Sequence, residues 1–285
     1  MKRYKRLVVL SDIQSPFHLP QALALAIEYI KRFKPDLLIL NGDIVDFYTL
    51  STFKKIGRGP NSLIEEIITT NNEVLDPILA ACPPKCKKVW VAGNHEHRLK
   101  ASIAVNVKFL ENFPGLNIEE CFRMKERGIR YIDSQSGNGI FWITQHLVAM
   151  HGIYTSVHAA KKYTDSLDAS VIYGHCHKEQ YWRDTKALGG KSKIAIGAGC
   201  LCQDPEDFNS LARYDRGFVA GWFDPDSGIF EVQHKRIAGP DNTILFSDYG
   251  PLKARKTKKG WTVDGELRDI DTLVSTPRGQ RLSSR

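Results

Sequence analysis

The sequence predicts an α/β protein in which two mixed β-sheets pack face to face with helices on their outer sides. Three observations predict it. The 285 residues are 42% apolar and 25% charged, the balance of a globular chain long enough to bury a sizeable core. The first half alternates short apolar runs with amphipathic helical patterns, as βαβ units do. The second half breaks into short strand-like runs punctuated by Gly, Pro and Asp, which suits mostly antiparallel pairing. Two stacked sheets covered by helices accommodate both halves.

The elements follow in order. Residues 7–10 are apolar throughout, as a fully buried strand requires, and the run stops at Ser11 and Asp12. Pro20 suits the first turn of a helix and opens a pattern through residue 33, with Ala22, Leu23, Ala26, Ile27 and Ile30 on one face. A second strand spans 36–40 and ends at Asn41 and Gly42. A helix is predicted over 63–79, a third strand over 88–92, and another helix from 96 to about 113. Short strands are predicted at 130–132, 139–143, 146–150, 170–173, 180–182, 193–196, 218–223 and 230–236, with one more helix near 155–165.

Charge divides the chain unevenly. The net charge is +8, yet residues 251–285 hold nine of the 40 basic residues and only four of the 32 acids. Residues 1–250 therefore read as the folded domain and 251–285 as a flexible basic tail. Such a tail can steer a protein toward nucleic acid or simply keep it soluble. No apolar run approaches the ~18–20 residues that span a bilayer, and residues 7–10 are too short for a signal peptide. The expectation is a cytoplasmic protein without a membrane partner. The cysteine pairs Cys82/Cys86 and Cys200/Cys202 have three and one intervening residues and no histidine nearby in sequence. They read as reduced structural thiols rather than zinc ligands.

Chemistry gathers after the strands. Asp12 follows the first, Asp43 and Asp46 the second, and Asn94, His95 and Glu96 the third. His151 follows 147–150, and His175 and His177 follow 171–173. Singly, His151 would read as a satisfied strand-end histidine and Asp43 as a turn residue. Together they are the oxygen and imidazole donors that divalent metals accept, placed at strand carboxyl ends, where open α/β sheets bring residues to a common crevice.

In these blocks the sequence resembles the calcineurin-like metallophosphoesterase superfamily, whose pattern is D-x-H, G-D-x-x-D, G-N-H-[DE], H and G-H-x-H. The chain reads Asp12-Ile13-Gln14, Gly42-Asp43-Ile44-Val45-Asp46, Gly93-Asn94-His95-Glu96, His151-Gly152 and Gly174-His175-Cys176-His177. The resemblance spans about 7–236 and implies an αββα four-layer sandwich and a metal-dependent hydrolase acting on phosphate esters. It implies two divalent ions, manganese first, with iron, zinc, magnesium or nickel as alternatives. Asp43 would bridge them; Asp12, His177 and residue 14 would hold the first; Asn94, His151 and His175 would hold the second. A hydroxide bridging the two ions would attack phosphorus. His95, oriented by Asp46, would meet the phosphate or protonate the leaving oxygen.

Arg98 lies three residues beyond His95; on a helix starting there it could fork onto a phosphate, or serve as a surface arginine. Gln14 stands where the family has histidine, which weakens the first site toward borderline metals or leaves His18 to substitute. Phe47 stands where the protein Ser/Thr phosphatase branch extends its motif to arginine. The chain instead looks like the small bacterial, phage and archaeal members, which points to a phosphodiesterase or nuclease on nucleotide or nucleic acid substrates. The alternative reading is a weakened scaffold of the same fold, kept for partner binding.

Overall fold

The computed structural model describes residues 4–52, 59–111, 113–133, 139–185, 192–204, 213–248, 250–258 and 260–264. Two sheets dominate it. The larger contains β1 (Lys5–Leu10), β2 (Leu37–Asn41), β3 (Lys87–Val91), β4 (Ile129–Ile132), β10 (Gly217–Phe223), β11 (Phe230–Ala238), β12 (Ile244–Ser247), β13 (Gly250–Thr257) and β14 (Gly260–Asp264). Its order is β14-β13-β12-β11-β10-β1-β2-β3-β4. β1 to β4 pair in parallel and β10 to β14 antiparallel. The smaller sheet contains β5 (Ile140–Thr144), β6 (Leu147–Met150), β7 (Ser170–Tyr173), β8 (Tyr181–Asp184) and β9 (Lys193–Gly197) in the order β5-β6-β7-β9-β8.

Alternation along each strand explains the layering. Leu7, Val9, Leu37, Ile39, Val89 and Val91 point into a core shared with Leu147, Ala149, Ile172 and Ile196 of the smaller sheet. Val8, Leu10, Leu38, Leu40 and Trp90 point the other way, onto α1 (Pro20–Phe33) and the helical segment around Ile78. The outer face of the smaller sheet buries Val148, Val171, Tyr173 and Ala195 against α6 (Ala159–Ser166). The result is the expected helix–sheet–sheet–helix stack. Among the described residues no helix is long and apolar enough to cross a membrane.

Three elements differ from the sequence reading. The centre of the smaller sheet, β6-β7-β9, is parallel rather than antiparallel. The single helix expected over 63–79 is a rod of α2 (Leu63–Thr69), a π turn (Thr70–Leu75) and α3 (Asp76–Ala81). Pro77 has no N–H to give to the preceding turn, and the rod widens just before it. The helix expected to reach 113 stops earlier: α4 spans Glu96–Asn106, and a short α5 (Ile118–Cys121) follows.

The boundary expected at residue 250 also falls inside the sheet. Leu252 and Ala254 alternate inward, while Lys253 and Arg255 alternate outward. With Trp261 and Val263 of β14, the inward pair packs against α1. Counting charges concealed this two-residue period. The rest of the expected tail, 265–285, lies outside the described residues.

Leu252→Ala empties a fully buried position in this contact and is expected to destabilise the fold by about 2–5 kcal/mol in urea denaturation. Loss of less than about 1 kcal/mol would mean that β13 is not packed on α1.

Candidate metal centre and active site

The loops that leave β1 and β2 are fastened together by backbone hydrogen bonds. Asp12 N–H donates to Gly42 O (3.1 Å), Gln14 N–H to Asp43 O (2.9 Å), Ser15 N–H to Ile44 O (2.9 Å), and Asp46 N–H to Ser15 O (2.9 Å). Asp12, Gln14, Asp43 and Asp46 are thereby held in one frame. Asp12 (φ 52°), Gln14 (49°), Asp43 (51°), His175 (67°) and His177 (54°) all sit in the left-handed region. That conformation costs L-residues roughly 1–2 kcal/mol each and is held only by such surroundings. Gly42 and Gly93 are needed for closeness: a Cβ on Gly42 would collide with the His151 ring, and one on Gly93 with the Asp43 carboxylate.

Asp43 is the centre of the site. Its carboxylate accepts the His95 N–H (2.9 Å) and lies 3.2 Å from His151 Nε2 and 3.6 Å from His95 Nε2. Ligand atoms of Asp43, His151 and His175 all fall within 4.8 Å of one another. Burial opposes its charge, yet His151 and His95 hold its carboxyl well below the usual range. His151 Nδ1 lies 2.9 Å from the Asn41 carbonyl, which can only accept; Nδ1 therefore carries hydrogen, and Nε2 is turned to Asp43 and to Asn94 Oδ1 at 3.1 Å. Burial works against protonation of His151, but Asp43 and Asp12 outweigh it and push the ring up to about 10. Burial and the neighbouring His151 lower His175, which favours its neutral, ligand-competent form.

Asp12 anchors the second half of the cluster. It is fully buried and accepts from Ser11 Oγ (2.6 Å) and from the His175 N–H (3.0 Å to Oδ2). His177 Nε2 lies 3.0 Å from Asp12 Oδ1 and 3.3 Å from the Gln14 carboxamide nitrogen. Burial opposes protonation of His177 as well, and the Asp12 carboxylate overcomes it, pushing the ring up to about 9. His18, the alternative to Gln14, turns its Nε2 toward Glu73 (3.9 Å), and its buried Nδ1 has no hydrogen-bond partner among the described residues.

His95, Asp46 and Arg98 form a third group beside Asp43. His95 Nδ1 lies 2.9 Å from the Asp46 carbonyl and 3.3 Å from its carboxylate. Arg98 donates to the Asp46 carbonyl (2.8 Å) and carboxylate (3.1 Å), and its other nitrogen lies 3.0 Å from His95 Nε2. Burial disfavours His95⁺, but Asp43 and Asp46 raise its pKa on balance.

The ten residues given ligand or catalytic roles in the sequence thus meet at the carboxyl ends of β1, β2, β3, β6 and β7, while His18 turns away toward Glu73 and Glu96 takes no ligand position. Two supports were not anticipated. Glu96, buried in the first turn of α4, accepts from the N–H groups of Gly93 (2.7 Å), Asp43 (2.9 Å) and Ile44 (2.8 Å). The Tyr214 ring stands edge-on to His177, with centroids 4.3 Å apart. The block around Asn94 contained Glu96 but gave no sign that it braces the neighbouring loop, and no motif flags Tyr214.

The profile of the family described as calcineurin-like phosphoesterase matches residues 5–217. The Gene 54 protein of Mycobacterium phage L5 is 25% identical over 244 residues, covering 76% of this chain and 86% of the phage protein. Its counterpart from phage D29 is 25% identical over 239 residues with the same coverage. Among solved structures, a Vps29 single mutant from Entamoeba histolytica aligns with TM-score 0.35 and 14% identity, covering 91% of this chain and 97% of that one. The Pseudomonas putida nuclease MPE aligns with TM-score 0.34 and 12% identity, covering 80% and 87%.

His18 also gives the fold a pH dependence. Burial lowers its pKa from 6.5 to about 4. Between those values the unfolded chain takes up a proton that the folded chain refuses. This contribution is therefore fully present above pH 6.5 and is lost as pH falls toward 4, on the order of 3 kcal/mol in all. His18→Gln is expected to flatten the decline of unfolding free energy between pH 6.5 and 4; an unchanged slope would mean that His18 titrates normally.

Proposed function

The chain belongs to the calcineurin-like phosphoesterase family, and from that membership we propose that it hydrolyses phosphate esters at a two-cation centre on the crest between its sheets. The observation that carries this reading is Asp43, a buried carboxylate facing His151 and His95 and grouped with His175. The donor set fits divalent cations: Asp12, Gln14, Asp43 and His177 would hold one, and Asp43, Asn94, His151 and His175 the other. Manganese suits a set in which a carboxamide replaces an imidazole. When bound, the cations neutralise phosphate charge and acidify a water for in-line attack.

The chain's own groups do the rest. His151 is oriented by the Asn41 carbonyl through Nδ1, which leaves Nε2 for the ion, whereas His177 is held by Asp12 through Nε2 itself, a contact the ion would replace. Arg98 holds Asp46 with one nitrogen and offers the other toward His95 Nε2. A phosphate oxygen is a stronger acceptor for that second nitrogen. Its arrival would draw the guanidinium off His95; Nε2, which until then accepts from Arg98 and carries no hydrogen, would take up a proton from water and pass it to the leaving oxygen. The Asp46 carbonyl and carboxylate would stabilise the ring through Nδ1 while it carries that proton.

Substrates are proposed to be phosphodiesters of nucleotide type. This is supported by exposed Lys253 and Lys256 on β13 and Lys258 in the turn after it, basic groups able to meet a phosphate backbone. A second reading, a weakened scaffold that binds partners, draws on Gln14 at the position the family gives to histidine.

The purified protein is expected to hydrolyse bis-p-nitrophenyl phosphate with Mn²⁺. His95→Ala should lower kcat by roughly 10²–10⁴-fold, and Asp43→Asn should abolish turnover. Wild-type rates in both variants would defeat the reading. Elemental analysis after Mn²⁺ equilibration separates the two alternatives: bound manganese, held more tightly by Gln14→His than by the wild type, supports the enzyme. Protein that retains no divalent ion supports the scaffold.

A further inference from the structure

Cys200 and Cys202 lie behind His177, outside the carboxylate-centred cluster. Their segment is fixed along both edges. The Cys200 N–H donates to Asp215 O (3.0 Å), and the Gly217 N–H donates back to Cys200 O (3.1 Å). The Leu201 N–H donates to Asp12 O (3.1 Å), and the Gln203 N–H to Phe17 O (2.9 Å). In an extended chain residues two apart share a face. The two thiols therefore project together, while Leu201 between them packs into the core beneath the helices. Both cysteines are fully buried and unpaired.

The ligand atoms of Cys200, Cys202 and His177 all lie within 4.8 Å of one another, and Cys202 Sγ is 3.8 Å from His177 Nδ1. Sulfur and nitrogen donors bound ~2.3 Å and ~2.0 Å from one cation stand about 3.5–4 Å apart. Arg216, itself buried, donates to Cys200 Sγ (3.6 Å) and pairs with Asp204 (3.0 Å). Two thiolates with a divalent cation are electrically neutral, as is the Arg216–Asp204 pair, so the pocket can bury the ion without leaving a net charge. The donors are soft, in contrast to the oxygen-rich site on the other side of the ring.

We propose that Cys200, Cys202 and Nδ1 of His177 form a site for a thiophilic divalent cation, of the class of Zn²⁺ or Cd²⁺, whose occupancy opposes metal binding at Nε2 of the same ring. A neutral imidazole offers one nitrogen to a cation and keeps a proton on the other. A cation at Nδ1 keeps the proton on Nε2, where the Asp12 carboxylate 3.0 Å away accepts it, and leaves that nitrogen no lone pair for a second ion. By linkage the antagonism runs equally in both directions.

Cadmium tests the site on the full chain in a Cys82→Ser background, which removes the other close thiol pair. The expected result is an ultraviolet sulfur-to-cadmium absorption that saturates at one ion per chain, with two sulfurs and one nitrogen in X-ray absorption. The absorption should vanish in Cys202→Ser. A background protein that shows no sulfur around bound cadmium overturns the site, and that measurement needs no further variant if Cys202→Ser does not fold. Persistence of the absorption in Cys202→Ser also overturns it. Electron paramagnetic resonance titration of Mn²⁺ tests the antagonism: one equivalent of Cd²⁺ should weaken Mn²⁺ binding by at least about 10-fold. Unchanged Mn²⁺ affinity beside sulfur-bound cadmium overturns the antagonism. None of these readouts depends on hydrolysis, so they separate from the proposed phosphoesterase activity.

Discussion

Glu96 accepts the N–H groups of Gly93, Asp43 and Ile44 and so ties the loop after β3 to the loop after β2. A carboxylate this deep is costly: burial, and the negative charge of Asp43 beside it, raise its pKa. Three short N–H donors offset much of that cost. The gain is positional. Asp43 cannot drift from Asn94 and His95 while its own N–H is held by the first residue of the helix that follows them. The backbone bonds from Asp12, Gln14 and Ser15 then carry the same frame to β1.

That frame explains how so many strained residues coexist. Five side chains of the cluster stand on left-handed backbone, and none would hold that conformation in an isolated loop. Hydrogen bonds from neighbouring segments secure them: Asp12 and Gln14 donate to the backbone of the loop after β2, Asp43 to the Glu96 carboxylate, and His175 to the Asp12 carboxylate. The strain turns the side chains back over the strand ends instead of letting the chain continue outward. Clustered strain of this kind is the mark of a site built for geometry rather than stability.

The site was largely legible in the sequence because its residues are chemically unusual for their positions. Asp, Asn and His directly after apolar strands have no packing reason to recur five times, so their convergence could be anticipated before any contact was known. The supports were less legible. Glu96 looks like an ordinary first-turn acid, since the N–H groups of Asp43 and Ile44 that give it its worth lie 53 and 52 residues earlier. The thiol pair looked structural because its third partner, His177, is 23 residues away in sequence and had already been given a role by its motif. The β13–β14 hairpin was hidden by its own exposed face. Lys253, Arg255 and Lys256 suggest a solvated tail, although Leu252, Ala254, Trp261 and Val263 keep the alternation of a strand with one buried side. Pro77 stands inside a strongly helical pattern that conceals the change of helix type before it.

Placing basic residues on a folded hairpin changes what their charge can do. A flexible tail attracts an anion from any direction but loses conformational freedom when it binds. Lys253 and Lys256 on β13 are held by ladder bonds to β12 and β14 and by the burial of Leu252 against α1, so their backbone is already ordered. Part of the local charge is internally satisfied, because Arg255 pairs with Asp264 across the strands at 3.1 Å. The lysines therefore carry the outward field, and at physiological salt it acts within about 8 Å of them. The sheet order sets β13 three strands from β10, whose first residue, Gly217, is bonded to Cys200 beside the candidate metal ligands. With neighbouring strands ~4.8 Å apart, that separation is about 14 Å. An anion held at the hairpin must therefore extend over several residues or nucleotides to reach the crest. A small phosphate ester would feel only the crest itself.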